Sequence, residues 1–164
     1  MPAPVSLQPI GDDQRPVLES LWQLYRHDLS EFRGYLPDQH GRYGPGGLPR
    51  YFTDPGRSGD LIRVGADPAG FALLCTLPDG TRMVGEFFVV RAARRQRVGY
   101  AAARQLLDRH PGPWAIPFQE ENPGAARFWR RVVGEVAGTA YREERRPVPG
   151  KPEIPPDVWL FLTA

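Results

Sequence analysis

One stretch of the chain leaves few choices for its fold. From Gly85 to Arg109 it reads GEFFVVRAARRQRVGYAAARQLLDR. Phe87 to Val90 is an apolar, aromatic and β-branched run of strand length. Ala103, Leu106 and Leu107 then recur at helical spacing, with Arg104, Gln105, Asp108 and Arg109 opposite them. Between strand and helix lie Arg94, Arg95, Gln96, Arg97, Val98 and Gly99. A basic turn feeding a helix start offers backbone N–H groups and a positive dipole end, which suit a phosphate.

The rest of the chain supplies the layers that such a unit needs. Val5 to Ile10 predicts a first strand, and Asp12 or Asp13 followed by Pro16 predicts a helix start. Leu18, Leu21, Trp22, Tyr25, Leu29 and Phe32 fall on one helical face that ends at Gly34. Tyr35 to Gly59 is dense in glycine and proline, with a short helical turn expected between Tyr43 and Phe52. The GRYGPGG segment from Gly41 is read as a turn, because no Lys-Ser or Lys-Thr follows and no strong strand precedes it. Leu61 to Gly65 and Gly70 to Leu77 predict a hairpin with its turn at Asp67, Pro68 and Ala69. A turn at Pro78, Asp79 and Gly80 leads into a third strand, Arg82 to Val90. After the basic turn and its helix come a strand at Trp114 to Phe118 and a helix opened by Asn122 and Pro123 and closed by Gly134. Thr139 to Arg145 and Val158 to Thr163 are the last strands. This order predicts an α+β class, in one domain spanning residues 1–164.

Composition narrows the function classes. A formal net charge of +2 argues against nucleic acid as partner, despite the local cluster Arg91, Arg94, Arg95, Arg97 and Arg104. No apolar run is long enough for a membrane span, and the N-terminus has no basic start followed by an apolar segment, so a cytoplasmic location is expected. The single cysteine, Cys75, forms no internal disulfide and lies in an apolar run. His27 and Glu31 stand four apart, but no further ligand cluster accompanies them, so no metal site is predicted.

Two blocks together resemble the GNAT superfamily of acyl-CoA-dependent N-acetyltransferases. One is the EFFVV strand, RRQRVG turn and YAAARQLLD helix; the other is NPGAARFWRRV, from Asn122 to Val132. The resemblance implies a GNAT-like acyltransferase fold: a mixed, mostly antiparallel central sheet of about six to seven strands, flanked by helices and splayed at a coenzyme A cleft. It implies acetyl transfer from acetyl-CoA, the acyl-donor co-substrate, to a primary amine of a small molecule or peptide, by direct attack with a carboxylate base. It also leaves a homodimer through the last strands open.

Carried over position by position, the resemblance places the pyrophosphate on the turn from Arg94 through Arg95, Gln96, Arg97 and Val98 to Gly99 and Tyr100. The backbone of Val89 and Val90 would hold the pantetheine and polarise the carbonyl. Asn122 would bond the pantetheine, and Trp129 would border it. Two departures stand out. Gln96, Gly99 and Ala101 match the family signature literally, but in the preferred frame from Arg94 to Gly99 Arg97 occupies the place of the first glycine, and two outcomes are open: an ordinary conformation with an added charge, or a weaker site. Trp129 stands where many members carry a tyrosine that protonates the departing thiolate, a role indole cannot take. Either the thiolate leaves without a donor or a hydroxyl such as Tyr141 or Tyr100 substitutes. The same substitution favours an alternative, a non-catalytic acyl-CoA-binding or sensing module.

Glu86, a carboxylate in an apolar strand three residues before Val89, is the expected general base. The first helix and the following loop would line the acceptor site with Tyr25, Asp28, Glu31 and Tyr35. Asp28 and Glu31 suggest a cationic acceptor.

Overall fold

The computed structural model describes residues 2–164. Its seven strands are β1 (Val5–Pro9), β2 (Arg57–Val64), β3 (Asp67–Thr76), β4 (Arg82–Val89), β5 (Pro113–Phe118), β6 (Arg142–Arg146) and β7 (Asp157–Thr163). They form one mixed sheet in the order β1-β2-β3-β4-β5-β7-β6. The helices are α1 (Arg15–Arg33), α2 (Arg50–Thr53), α3 (Val98–Arg109) and α4 (Pro123–Ala137), with 3-10 turns at Asp12–Gln14 and Arg91–Ala93. Among the described residues no helix is long and apolar enough to cross a membrane. The backbone divides into two compact units interleaved in sequence: residues 2–74 with Glu86–Ala102, and Cys75–Gly85 with Ala103–Ala164.

In the first unit, α1 forms where Pro16 opens a run with apolar residues at steps of three and four. It stops at Gly34, which takes φ 72° and returns its N–H to Ser30 O at 2.8 Å. No Asp12 or Asp13 side chain caps the start; the preceding 3-10 turn brings the chain in. The buried face of α1, Leu18, Leu21 and Trp22, packs with Leu48, Leu61, Phe71, Leu73 and Phe88. Each such side chain contributes about 1.5–3 kcal/mol of burial. β1 runs antiparallel to β2, with buried Leu7 opposite buried Ile62.

The β2–β3 turn lies at Gly65 and Ala66, two residues before its expected place. Gly65 supplies the positive φ (60°) of a tight hairpin, and Ala69 belongs to the ladder, its carbonyl accepting Val90 N–H at 2.8 Å. Gly70 is there because nothing larger fits: a Cβ would stand 2.0 Å from the Phe88 carbonyl oxygen. The glycine-rich segment after Gly34 is a loop fastened to α1. The Gln23 side-chain amide donates to Tyr43 O (2.9 Å) and accepts from Tyr43 N–H (2.8 Å), while Trp22 Nε1 donates to Gly44 O (3.1 Å).

In the second unit, β4 and β5 run parallel through a short ladder, Arg82 opposite Trp114 and Met83 opposite Ala115. β5 and β7 are antiparallel, and α4 packs on both. The buried residues Val158, Leu160 and Leu162 alternate along β7 with half-buried Trp159 and Phe161. The guanidinium of Arg146 lies over both of those rings, and that of Arg142 over Phe161. α4 runs past Gly134, its expected end, to Ala137. A helix tolerates Gly134 at a modest cost, and the positive φ that stops it sits at Gly138.

Candidate active site

Strand alternation sets Glu86 on the face of β4 that also carries Phe88, the face packed with α1. There the Tyr25 hydroxyl donates a hydrogen bond to Glu86 Oε2. The Tyr25 ring is fixed edge-on to Phe71 at 5.4 Å, with Trp22 and Phe88 at 5.4 and 5.8 Å. Glu86 keeps some exposed surface as a residue, yet protein encloses its carboxylate closely enough that desolvation dominates. Burial pushes its pKa up to about 6, against the opposing pull of the Tyr25 hydrogen bond and the Arg26 and Arg57 charges. Burial and the Glu86 charge hold the Tyr25 phenol well above its ordinary value, so it stays a donor at neutral pH.

The basic turn has a backbone unusual for its residues. After Arg91–Ala93 the chain extends at Arg94, and Arg95 and Arg97 both take left-handed φ, 64° and 61°. Arg97 thus adopts the conformation glycine would take, so of the two outcomes left open the ordinary conformation is not the one found. Each such residue costs about 1–2 kcal/mol. Buried Ala93 and Val98 anchor the turn, and Gln96 Nε2 donates to Ala92 O at 2.8 Å. The first helical bond runs from Ala101 N–H to Arg97 O (2.9 Å), so Val98 and Gly99 precede the α3 ladder. The exposed Arg97 guanidinium lies 4.9 Å over the Tyr100 ring.

Arg94 turns toward α1. Its Nε donates to Val89 O at 2.8 Å, and its Nη2 pairs with Asp28, which also receives Arg91 Nη2 at 2.9 Å. Asp28, expected to line the acceptor site, is bound to two arginines of the turn. Glu31 is exposed on the same helix. Tyr35 is half-buried: its hydroxyl is enclosed without a hydrogen-bond partner, and desolvation raises its pKa. Val90 N–H is committed to Ala69. Alternation turns Val89 N–H to the strand edge facing away from β3.

Asn122 and Trp129 belong to the second unit. Asn122 Oδ1 accepts Ala125 N–H at 3.1 Å, the helix cap its sequence context calls for. Trp129 is buried, with Phe128 edge-on at 4.8 Å. Tyr141 is half-buried. Among the described residues no group of three or more His, Cys, Asp or Glu side chains gathers as metal ligands would; His27 Nδ1 lies 3.3 Å from the Tyr43 hydroxyl.

Sequence reasoning missed Arg26 and Arg57, the two cations that act on Glu86. Arg26 follows Tyr25 on α1, and only the observation that Tyr25 reaches Glu86 would have drawn attention to it.

The sequence profile of the Acetyltransferase (GNAT) family matches residues 18–134, more than two thirds of the chain. The chain belongs to the GNAT family of acetyltransferases. No curated protein matches it in sequence. Among solved structures, an acetyltransferase from Thermus thermophilus is similar over 100% of both chains, with a TM-score of 0.70 at 17% identity. The ribosomal-protein-S18-alanine N-acetyltransferase of Escherichia coli is similar with a TM-score of 0.61 at 12% identity, over 98% of this chain and 94% of that one. A Bacillus anthracis acetyltransferase in complex with acetyl coenzyme A is similar over 71% of this chain and 67% of that one, with a TM-score of 0.51 at 17% identity. At these identities the likeness is one of fold, and it includes the seven-stranded mixed sheet of the GNAT family.

Proposed function

We propose that this chain transfers an acetyl group from acetyl-CoA to a primary amine, with Glu86 as the general base. The observation that carries this reading is the enclosed Glu86 carboxylate, held by Tyr25 and poised at a pKa of about 6. An amine whose ammonium form titrates near 10 attacks only after losing a proton. A carboxylate ionised at neutral pH, yet more basic than an exposed one, suits that task. Arg26 and Arg57 keep Glu86 ionised between turnovers, and Tyr25 fixes its orientation.

The basic turn supports acetyl-CoA as the donor. Left-handed residues at Arg95 and Arg97, followed by the first turn of α3, set successive N–H groups into an anion-binding concavity. Arg95 and Arg97 are exposed beside it, and the Asp28 pairs hold Arg91 and Arg94 in place. These residues fit a pyrophosphate. Bound there, acetyl-CoA would supply the activated acyl carbon, and coenzyme A would depart as the thiolate, to be protonated by solvent, when the carbon–nitrogen bond replaces the carbon–sulfur bond. Val89 N–H is the donor we assign to the acyl oxygen, Val90 N–H being already bonded to Ala69. Trp129 brings no proton to the thiolate, and a thiol pKa near 8.5 makes departure without a donor workable.

Incubation with acetyl-CoA and a panel of primary amines, followed by thiol release and product mass, tests the reading. Thiol release matched by an N-acetylated product is expected. Tight acetyl-CoA binding with no thiol released against any amine would instead support the sensing module that Trp129 favours.

A further inference from the structure

The Glu86 site has a positive charge beside it, Arg26, which acts on Glu86 through its field without a direct ion pair. Arg26 stacks its guanidinium 4.4 Å over the Tyr35 ring and lies 5.9 Å from Trp22, and among the described residues no carboxylate comes within ion-pair distance of it. Its Nε is enclosed without an acceptor, as is the Tyr35 hydroxyl. Enclosed donors are ordinarily satisfied, and leaving one unmet is destabilising. Here two donors of adjoining side chains are left so, and one of them belongs to a cation. The other charges nearby are accounted for. Asp28 is held by Arg91 and Arg94, Glu31 points into solvent, and Arg57 lies over Tyr51 with Asp54 at 3.7 Å. The charges left at this site are therefore the Glu86 carboxylate and the Arg26 guanidinium, one of each sign, and neither Asp28 nor Glu31 adds to them.

We propose that the acceptor is a small amine that also carries an anionic group, a carboxylate or a phosphate, and that Arg26, steadied by its stacking on the Tyr35 ring, holds this group through its Nη edge while the amine faces Glu86. The proposal rests on the reading of Glu86 as the base. A planar guanidinium stacked on an aromatic ring presents its remaining N–H edge in a fixed plane, which matches the paired oxygens of a carboxylate or phosphate. The two charges of the acceptor then match the two of the site: ammonium to Glu86 and anion to Arg26. A diamine of the same length would place its second cation against Arg26, where like charges repel.

A matched set of acceptors at saturating acetyl-CoA tests this: an α-amino acid, its carboxamide, an aminoalkyl phosphate and a diamine of similar length. The amino acid or the aminoalkyl phosphate is expected to exceed both the carboxamide and the diamine about tenfold or more in kcat/KM, mainly through KM. The leading member of that pair identifies the anion. Arg26→Gln should shift the acidic limb for all four acceptors alike through Glu86, and beyond that common change should abolish the preference by raising KM for the anionic acceptors, while Arg26→Lys, which keeps charge but not the stacked fork, should retain part of it. Equal use of carboxamide and amino acid, a preference for the diamine, or an Arg26→Gln loss uniform across all four acceptors would overturn the proposal. If no amine releases thiol, the transfer reading fails by itself, and the Arg26 site is then read by tryptophan fluorescence with an N-acetyl amino acid and its methylamide. The carboxylate should bind about tenfold tighter; equal affinities would overturn it.

Discussion

Replacing Tyr25 with phenylalanine removes one hydroxyl from a ring that Phe71, Phe88 and Trp22 hold in place, so the packing stays and the bond to Glu86 goes. That bond favours the ionised carboxylate, and with burial opposing it the pKa of Glu86 rests at about 6. A hydrogen bond to a charged group is worth about 1.5–3 kcal/mol, and 1.36 kcal/mol corresponds to one pH unit. Without it the acidic limb of kcat/KM should move upward by about one to two pH units. At pH 6.5 the variant should be about three- to twenty-five-fold slower than wild type, with the deficit closing on the alkaline side. Protonation of the amine acceptor weighs on both enzymes alike and cancels in their ratio. The profile should be measured by thiol release from pH 5.5 to 9.5, beside a carbon-13 titration of the Glu86 carboxyl in each protein. An unmoved acidic limb with an unmoved titration would refute the coupling. A titration that moves while the rate profile does not would retain the Tyr25 bond and remove Glu86 from the chemistry.

Other consequences reach the rest of the first unit. Gly70→Ala drives a Cβ to 2.0 Å from the Phe88 carbonyl oxygen and 3.0 Å from Val89 Cα, backbone atoms that cannot swing aside. A loss of about 3 kcal/mol or more is expected in urea unfolding, and an unchanged midpoint would contradict the close approach of β3 and β4. Arg97→Gly relieves a left-handed arginine but removes a charge from the turn. Acetyl-CoA should bind a few-fold more weakly at low salt, with the gap narrowing at high salt; equal affinity at both would deny Arg97 a role toward phosphate. The raised pKa of Glu86 also has a stability signature. Its contribution is present in full below the ordinary value of 4.5 and is lost as pH rises through about 6, a decline of about 2 kcal/mol. Glu86→Gln should remove that decline between pH 4.5 and 7.5, and a variant as pH-dependent as wild type would place the titration elsewhere.

Local chemistry made most of the fold legible. The apolar periodicity of α1, the Asn122–Pro123 start of α4 and the strand-turn-helix from Glu86 each follow from neighbours a few residues apart. Boundaries moved where two signals competed. Gly65 outcompeted Asp67 and Pro68 for the hairpin turn, and Gly138 outcompeted Gly134 for the end of α4, because each winner takes the positive φ that its place requires. The candidate site was legible as a set of residue types but not as pairings. Tyr25 meets Glu86 across 61 positions, and Asp28 meets Arg91 and Arg94 across 63 and 66. No periodicity reports such partners, so Asp28 read as an acceptor residue when its charge belongs to the turn. The part Arg26 plays beside Glu86 shows only after the neighbouring carboxylates have been assigned. The left-handed backbone at Arg97 was likewise hidden, since arginine rarely adopts it and glycine was the residue expected there.

The most direct test of the central claim compares kcat/KM for wild type and Glu86→Gln across pH, with one accepted amine and saturating acetyl-CoA. Wild type should rise through an acidic limb near pH 6, and the variant should lose that limb and about a hundredfold or more of the rate while still binding acetyl-CoA. A Glu86→Gln enzyme that keeps the full rate and the same profile would show that another group takes the proton.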